Sequence, residues 1–147
     1  MTGADVAAVT AANAELYAAI EAGDVDRLAA IWDTTDDVVC VHPGWPSVSG
    51  RSRVLRSWAV IMANTAYLQF FSTEVEVAID ADAAVAIVTC EHGVLARSDE
   101  KDTGFGETAR VVASNVFRRR PDGWRLWSHH ASPVLAADDD QEGTTER

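Results

Sequence analysis

The chain has 147 residues, enough for one domain with one substantial core. Hydrophobic residues make up 48% and charged residues 24%, ordinary globular usage, and no apolar run approaches the roughly 20 residues of a membrane-spanning helix. A formal net charge of -11, from 23 acidic and 12 basic residues, argues against nucleic-acid binding, which needs clustered positive charge, and is assigned to solubility.

Met1 to Asp5 has no basic stretch ahead of an apolar one, so it does not read as a signal peptide, and a cytoplasmic protein without membrane attachment is expected. Val6, Val9, Asn13, Leu16 and Ile20 recur at spacings of three and four, which predicts a helix over 5–22 with Tyr17 beside its apolar stripe. Gly23 stops it, and Asp24 caps a short second helix carrying Leu28, Ile31 and Trp32. Val38 to Val41 is a short buried strand ending on His42. The stiff loop Pro43-Gly44-Trp45-Pro46 follows, and a helix starting near Gly50 puts Val54, Trp58 and Ile61 on one stripe.

Phe71 to Ile79 alternates apolar and polar residues, the period of a strand with one wet face. Ala84 to Cys90 is a central strand that can extend to Ala96. Residues 97–106 are charged and glycine-bearing, which predicts a flexible loop or a long hairpin tip. Thr108 to Arg119 is a long strand, Arg120-Pro121-Asp122-Gly123 a tight turn, and Trp124 to Ser132 the last strand. Residues 1–135 form the domain. Residues 136–147 are an acidic tail expected to be disordered. Helix, helix, strand, helix and then hairpin-linked strands predict an α+β fold, a curved antiparallel sheet closing as a cone over the N-terminal helices, with a ligand entering at the open end.

Cys40 and Cys90 lie in apolar runs and read as reduced core thiols. No Cys/His ligand spacing occurs, which argues against structural zinc and outweighs a metal site built from His42, His130 and a carboxylate, so no metal is expected, and no cofactor either. His42 reads either as a pocket base or as a strand-end histidine that fastens the following loop. Trp45 is a candidate pocket-rim aromatic, while for Trp58 plain core packing outweighs a role as pocket wall. Tyr17 can offer a hydroxyl to the pocket. Glu91 follows an apolar run in a central strand, where an acid is costly unless paired, and so is a candidate lining residue; His92 has the opposite parity. His129 and His130 point to opposite faces of their strand. Arg118, Arg119 and Arg120 are expected to pair with the acidic surface.

Ala22-Gly-Asp-Val-Asp26, Trp32, His42-Pro-Gly-Trp-Pro46, Gly50-Arg51, Trp58 and Asp122-Gly-Trp-Arg-Leu-Trp-Ser-His-His-Ala-Ser-Pro133 resemble the nuclear transport factor 2-like superfamily, and within it the SnoaL-like branch. The resemblance covers about residues 5–135. It implies the cone-shaped fold, a small-molecule ligand and a homodimer through the outer face of the sheet. The superfamily includes ketosteroid isomerase, polyketide cyclases, dehydratases and the association domain of calcium/calmodulin-dependent kinase.

Set beside ketosteroid isomerase, His42 stands where that enzyme keeps its general-base aspartate, and Asn115 where it keeps a protonated aspartate. The enzyme's tyrosine falls on Leu16, one residue from Tyr17. The pocket-facing arginine of the kinase association domain also falls on Asn115, and its closing histidine on His130. The resemblance therefore implies proton-transfer chemistry of isomerase, cyclase or dehydratase type on a small apolar substrate. His42 would be the base, with Asn115 and His130 polarising an oxygen. The alternative it carries is a non-catalytic dimerisation or association module.

Overall fold

The computed structural model describes residues 3–80, 82, 84–97 and 107–135. Of the loop predicted at 97–106, Arg97 instead ends a strand, and residues 98–106 lie outside the described ones, as does the tail at 136–147.

Helix α1 (Gly3–Ala22) buries Val9, Asn13, Leu16, Tyr17 and Ile20 along one face. Gly23 takes the left-handed φ of 64° that ends it, a conformation glycine reaches without Cβ strain. Asp24 then caps α2 (Val25–Ile31), its carboxylate accepting the Arg27 N–H at 3.0 Å. The two helices are tied by a fork from Arg27 to Glu15. At the far end of α2, the Arg51 guanidinium donates to the carbonyl oxygens of Ala29, Trp32 and Asp33, satisfying acceptors that the helix end leaves open.

Strand β1 (Val39–Val41) pairs with the two-residue β2 (Val48–Ser49), and α3 (Arg51–Ala63) follows Gly50, whose φ is 94°. The long strands β3 (Tyr67–Ile79), β4 (Val85–Arg97), β5 (Glu107–Arg120) and β6 (Gly123–Pro133) complete a six-stranded sheet of order β2-β1-β6-β5-β4-β3. β3 begins before its predicted start at Phe71. The sheet is not wholly antiparallel as expected: β1 lies parallel to β6, with Cys40 opposite His129. Hairpin turns dictate direction only between neighbours in sequence, and β1 meets β6 from the far end of the chain.

The sheet is mixed and open, and the three helices cover one face. The core lies between the layers. It holds Leu16, Leu28, Trp32, Val54, Val88, Phe117 and Leu126, all fully buried. The arginine triplet pairs as expected. Arg118 and Arg120 both hold Asp33, Arg118 also holds Asp37, and Arg119 pairs with Asp5.

One irregularity decides the site. Val116 pairs with Ser128 but Phe117 pairs with Leu126, so Trp127 is the extra residue of a β-bulge. Regular alternation would put Leu126, Ser128 and His130 on one face. The bulge reverses the parity instead, and Leu126, His129 and Ala131 are the residues buried against the helices.

Candidate functional site

Between the helix layer and the sheet lies a cavity of about 150 Å³. Tyr17 and Ile20 of α1, Trp58 and Ile61 of α3, and Leu68 and Phe70 of β3 form one side. His92, Val94, Val111, Ala113, His129 and Ala131 of the sheet form the floor, and His42 with Pro43 closes the end. Two wider grooves, about 330 Å³ along α1 and β3 and about 350 Å³ around Asp33 and Arg125, border solvent and contain none of the three histidines.

His42 is 2% exposed and sits at the end of β1. Its Nε2 lies 2.8 Å from Ser57 Oγ, while Ser57 bonds to the Val54 carbonyl oxygen at 2.7 Å. The rings of Trp45 and Trp58 meet the imidazole edge-on, at 4.8 and 4.5 Å between centroids. His42 lines the cavity; its ring is held by Ser57 rather than by a loop carbonyl, and its backbone carbonyl oxygen accepts the Trp45 N–H that closes the loop.

Behind the floor runs a buried polar chain. Asn115 Nδ2 donates to Asn13 Oδ1 at 2.8 Å and to Tyr17 Oη at 3.1 Å, and Asn115 Oδ1 lies 2.5 Å from His129 Nδ1. Tyr17 Oη is 3.5 Å from Cys90 Sγ; His92 Nε2 is 3.1 Å from the same sulfur, and Ser72 Oγ holds His92 Nδ1 at 2.9 Å.

Burial keeps these groups neutral. It pushes His42 down to about 4, and His129 to about 3 with nearby histidines adding to the effect. His92 is lowered for the same reason, and burial raises the Tyr17 hydroxyl and the Cys90 thiol and pushes Cys40 up to about 12. At neutral pH the cavity wall therefore carries three uncharged imidazoles among apolar groups. Among the described residues, no three His, Cys, Asp or Glu side chains are grouped to hold a metal ion.

The structure brings together His42, Tyr17 and Trp58 of the expected residues and separates the others. His130 is exposed and turned to the outer face, because the Trp127 bulge shifts parity by one; His129 lines the cavity in its place. Glu91 points away from the helices, where Arg110 pairs with it, since the buried Val88, Cys90 and His92 occupy the alternate positions of β4. Trp45, 41% exposed, covers His42 from outside and does not line the cavity. Asn115 is fully buried one step behind His129, with its amide groups already engaged. Sequence reasoning weighed His129 against His130 and chose His130, and it did not single out Ser57 or Ser72. Parity from Glu91 pointed to His92; nothing in the sequence marks Trp127 as a bulge.

A family model for the SnoaL-like domain matches residues 9–136. The chain belongs to the SnoaL-like domain family. A crystal structure from Streptomyces avermitilis, a provisionally assigned dehydratase of the nuclear transport factor 2-like family, is 51% identical. It aligns over 90% of this chain and 98% of its own with a TM-score of 0.82. A provisionally assigned calcium/calmodulin-dependent protein kinase type II association domain from Thiobacillus denitrificans is 30% identical over 86% of this chain and 94% of its own, with a TM-score of 0.69. A ketosteroid isomerase-like protein from Erwinia carotovora atroseptica shares the fold at 19% identity, over 92% of this chain and all of its own, with a TM-score of 0.71. No curated protein matches the chain. Among the described residues of this SnoaL-like domain, no helix is long and apolar enough to cross a membrane.

Proposed function

We propose that this SnoaL-like protein binds a small, neutral, largely apolar molecule in the cavity between its helices and sheet. The observation that carries this reading is the cavity itself: about 150 Å³ of unfilled space, walled by aromatic and aliphatic side chains and edged by neutral imidazoles. Volume on that scale suits one aromatic ring. A non-catalytic association module with a vestigial site would have no need to keep this space open. Ligand-observed NMR with single-ring aromatic molecules tests the reading. Binding should be saturable and should disappear when Val111→Phe fills the cavity; binding that survives the substitution would refute it.

A second reading adds chemistry to binding. His129 Nε2 has no partner among the described residues, and the 51% identical relative carries a dehydratase assignment. Proton abstraction from a bound substrate by His129, with His42 as the second imidazole, is the form this reading takes. Loss of a positioned base costs about 10²- to 10⁴-fold in turnover, so full turnover by His129→Gln on an identified substrate would end it. A homodimer through the uncovered sheet face belongs to the same proposal. Phe71 and Ile87 are about half exposed there, at 51% and 45%, and sedimentation equilibrium at micromolar concentration reads the mass directly.

A further inference from the structure

The hydrogen-bonding character of the cavity follows from where its protons sit, assigned from the bonding network. Ser57 has one hydroxyl proton. The Val54 carbonyl oxygen, 2.7 Å away, can only accept, so the proton goes there, and His42 must donate Nε2–H to Ser57 Oγ at 2.8 Å. The second nitrogen of His42 then carries a lone pair. Asn115 spends its Nδ2 on Asn13 Oδ1 and Tyr17 Oη, which leaves Oδ1 to accept from His129 Nδ1–H. His129 Nε2 is therefore also a lone pair. It has no partner among the described residues, on a side chain that is 3% exposed and lines the cavity.

Tyr17 and His92 have no donor to spare; on the wall only Trp58 Nε1–H is buried without a partner among the described residues. Tyr17 Oη takes a hydrogen bond from Asn115 and has Cys90 Sγ at 3.5 Å for its own proton. His92 has Ser72 on one nitrogen and Cys90 on the other. What the histidines leave facing the space is acceptor capacity without charge.

We propose that the cavity selects small neutral aromatic molecules bearing an O–H or N–H, a phenol or aromatic alcohol, which donate to His129 Nε2. Carboxylates are rejected, because among the described residues no cation lines the cavity and burying an unpaired anion is costly. Ethers and ketones of the same size bring a second acceptor against the His129 lone pair, and Trp58 Nε1–H is the one donor left to receive them. This selectivity rests on the reading of the cavity as a ligand site.

The test is a comparison of phenol, toluene, anisole and benzoate by titration against the wild-type protein and His129→Phe. Because toluene is the more hydrophobic molecule, the informative quantity is the phenol-to-toluene affinity ratio in each protein. One neutral hydrogen bond corresponds to about a three- to tenfold fall in that ratio in His129→Phe, while the anisole-to-toluene ratio stays put. Benzoate should bind neither protein. An unchanged phenol ratio with toluene still bound would overturn the selectivity and leave the ligand site standing. Failure of all four molecules to bind at millimolar concentration would overturn the site itself. If the variant does not fold, ¹⁵N spectroscopy of the wild-type histidines decides between the outcomes. His129 must show an unprotonated Nε2 that responds to phenol, and a protonated Nε2 overturns the proposal.

Discussion

Lowering the pH from 8 to 5 should remove a large part of this protein's stability, and the buried histidines should be the reason. His42 falls from an ordinary 6.5 to about 4 in the folded chain, and His129 to about 3, both through burial. The unfolded chain therefore takes up protons that the folded chain refuses. Stability is full above the unfolded value near 6.5 and is lost as pH falls below it, until the folded values are reached. By linkage, a histidine shifted from 6.5 to about 4 costs about 2 kcal/mol between pH 8 and pH 5, and His129 costs about the same. Together they remove about 4 kcal/mol, set against roughly 5–15 kcal/mol for a typical domain. His92 adds to the loss in the same direction. The carboxylates do not confuse the window: Asp33, Glu15 and Asp122 are held low, so the stability they supply is lost only as they are protonated at more acid pH. Urea denaturation followed by tryptophan fluorescence at pH 8, 7, 6 and 5 measures the slope. Near pH 5 each of the two histidines should contribute about 1.4 kcal/mol per pH unit, and His129→Gln should remove one such share. A denaturation free energy constant within about 0.5 kcal/mol from pH 8 to 5 would show that these imidazoles are not buried as the structure has them.

Three further outcomes are expected. Ser57→Ala removes the acceptor for His42 Nε2–H and leaves a buried donor unpaired, a loss of about 1–3 kcal/mol in chemical denaturation, whereas Ser57→Thr should retain most of the bond. Gly50→Ala forces a side chain into φ 94° with its Cβ 3.3 Å from Asp36 Oδ1, so its thermal midpoint should fall by several degrees, corresponding to about 1–2 kcal/mol. Asp33→Asn strips the carboxylate, 1% exposed, that holds Arg118 and Arg120; it should cost about 2 kcal/mol by urea denaturation, and less at high salt if the pairing is electrostatic.

The local signals were readable in the chain. The 3.6-residue stripe of α1, the Gly23-Asp24 stop and cap, the alternation of β3 and the Pro121-Asp122-Gly123 turn each report a short-range preference, and each element formed there, with β3 starting earlier, at Tyr67. The strand end at His42 and the stripe carrying Trp58 also delivered both residues to the cavity. Pairing between distant segments was not readable. The parallel partnership of β1 with β6 joins residues far apart in the chain, and no periodicity in either strand encodes its partner's direction.

The same limit governs the histidines. Sequence parity offered His129 and His130 as alternatives, and one inserted residue at Trp127, visible only in the β5–β6 register, turned His129 inward and His130 out. The sequence by itself determined which helices and strands form and that a histidine closes the first strand, because those follow from nearest-neighbour geometry and burial period. Only the tertiary structure decided which imidazoles share the cavity, which of their nitrogens have partners and how little charge they carry, because each of those depends on partners supplied by other strands and helices.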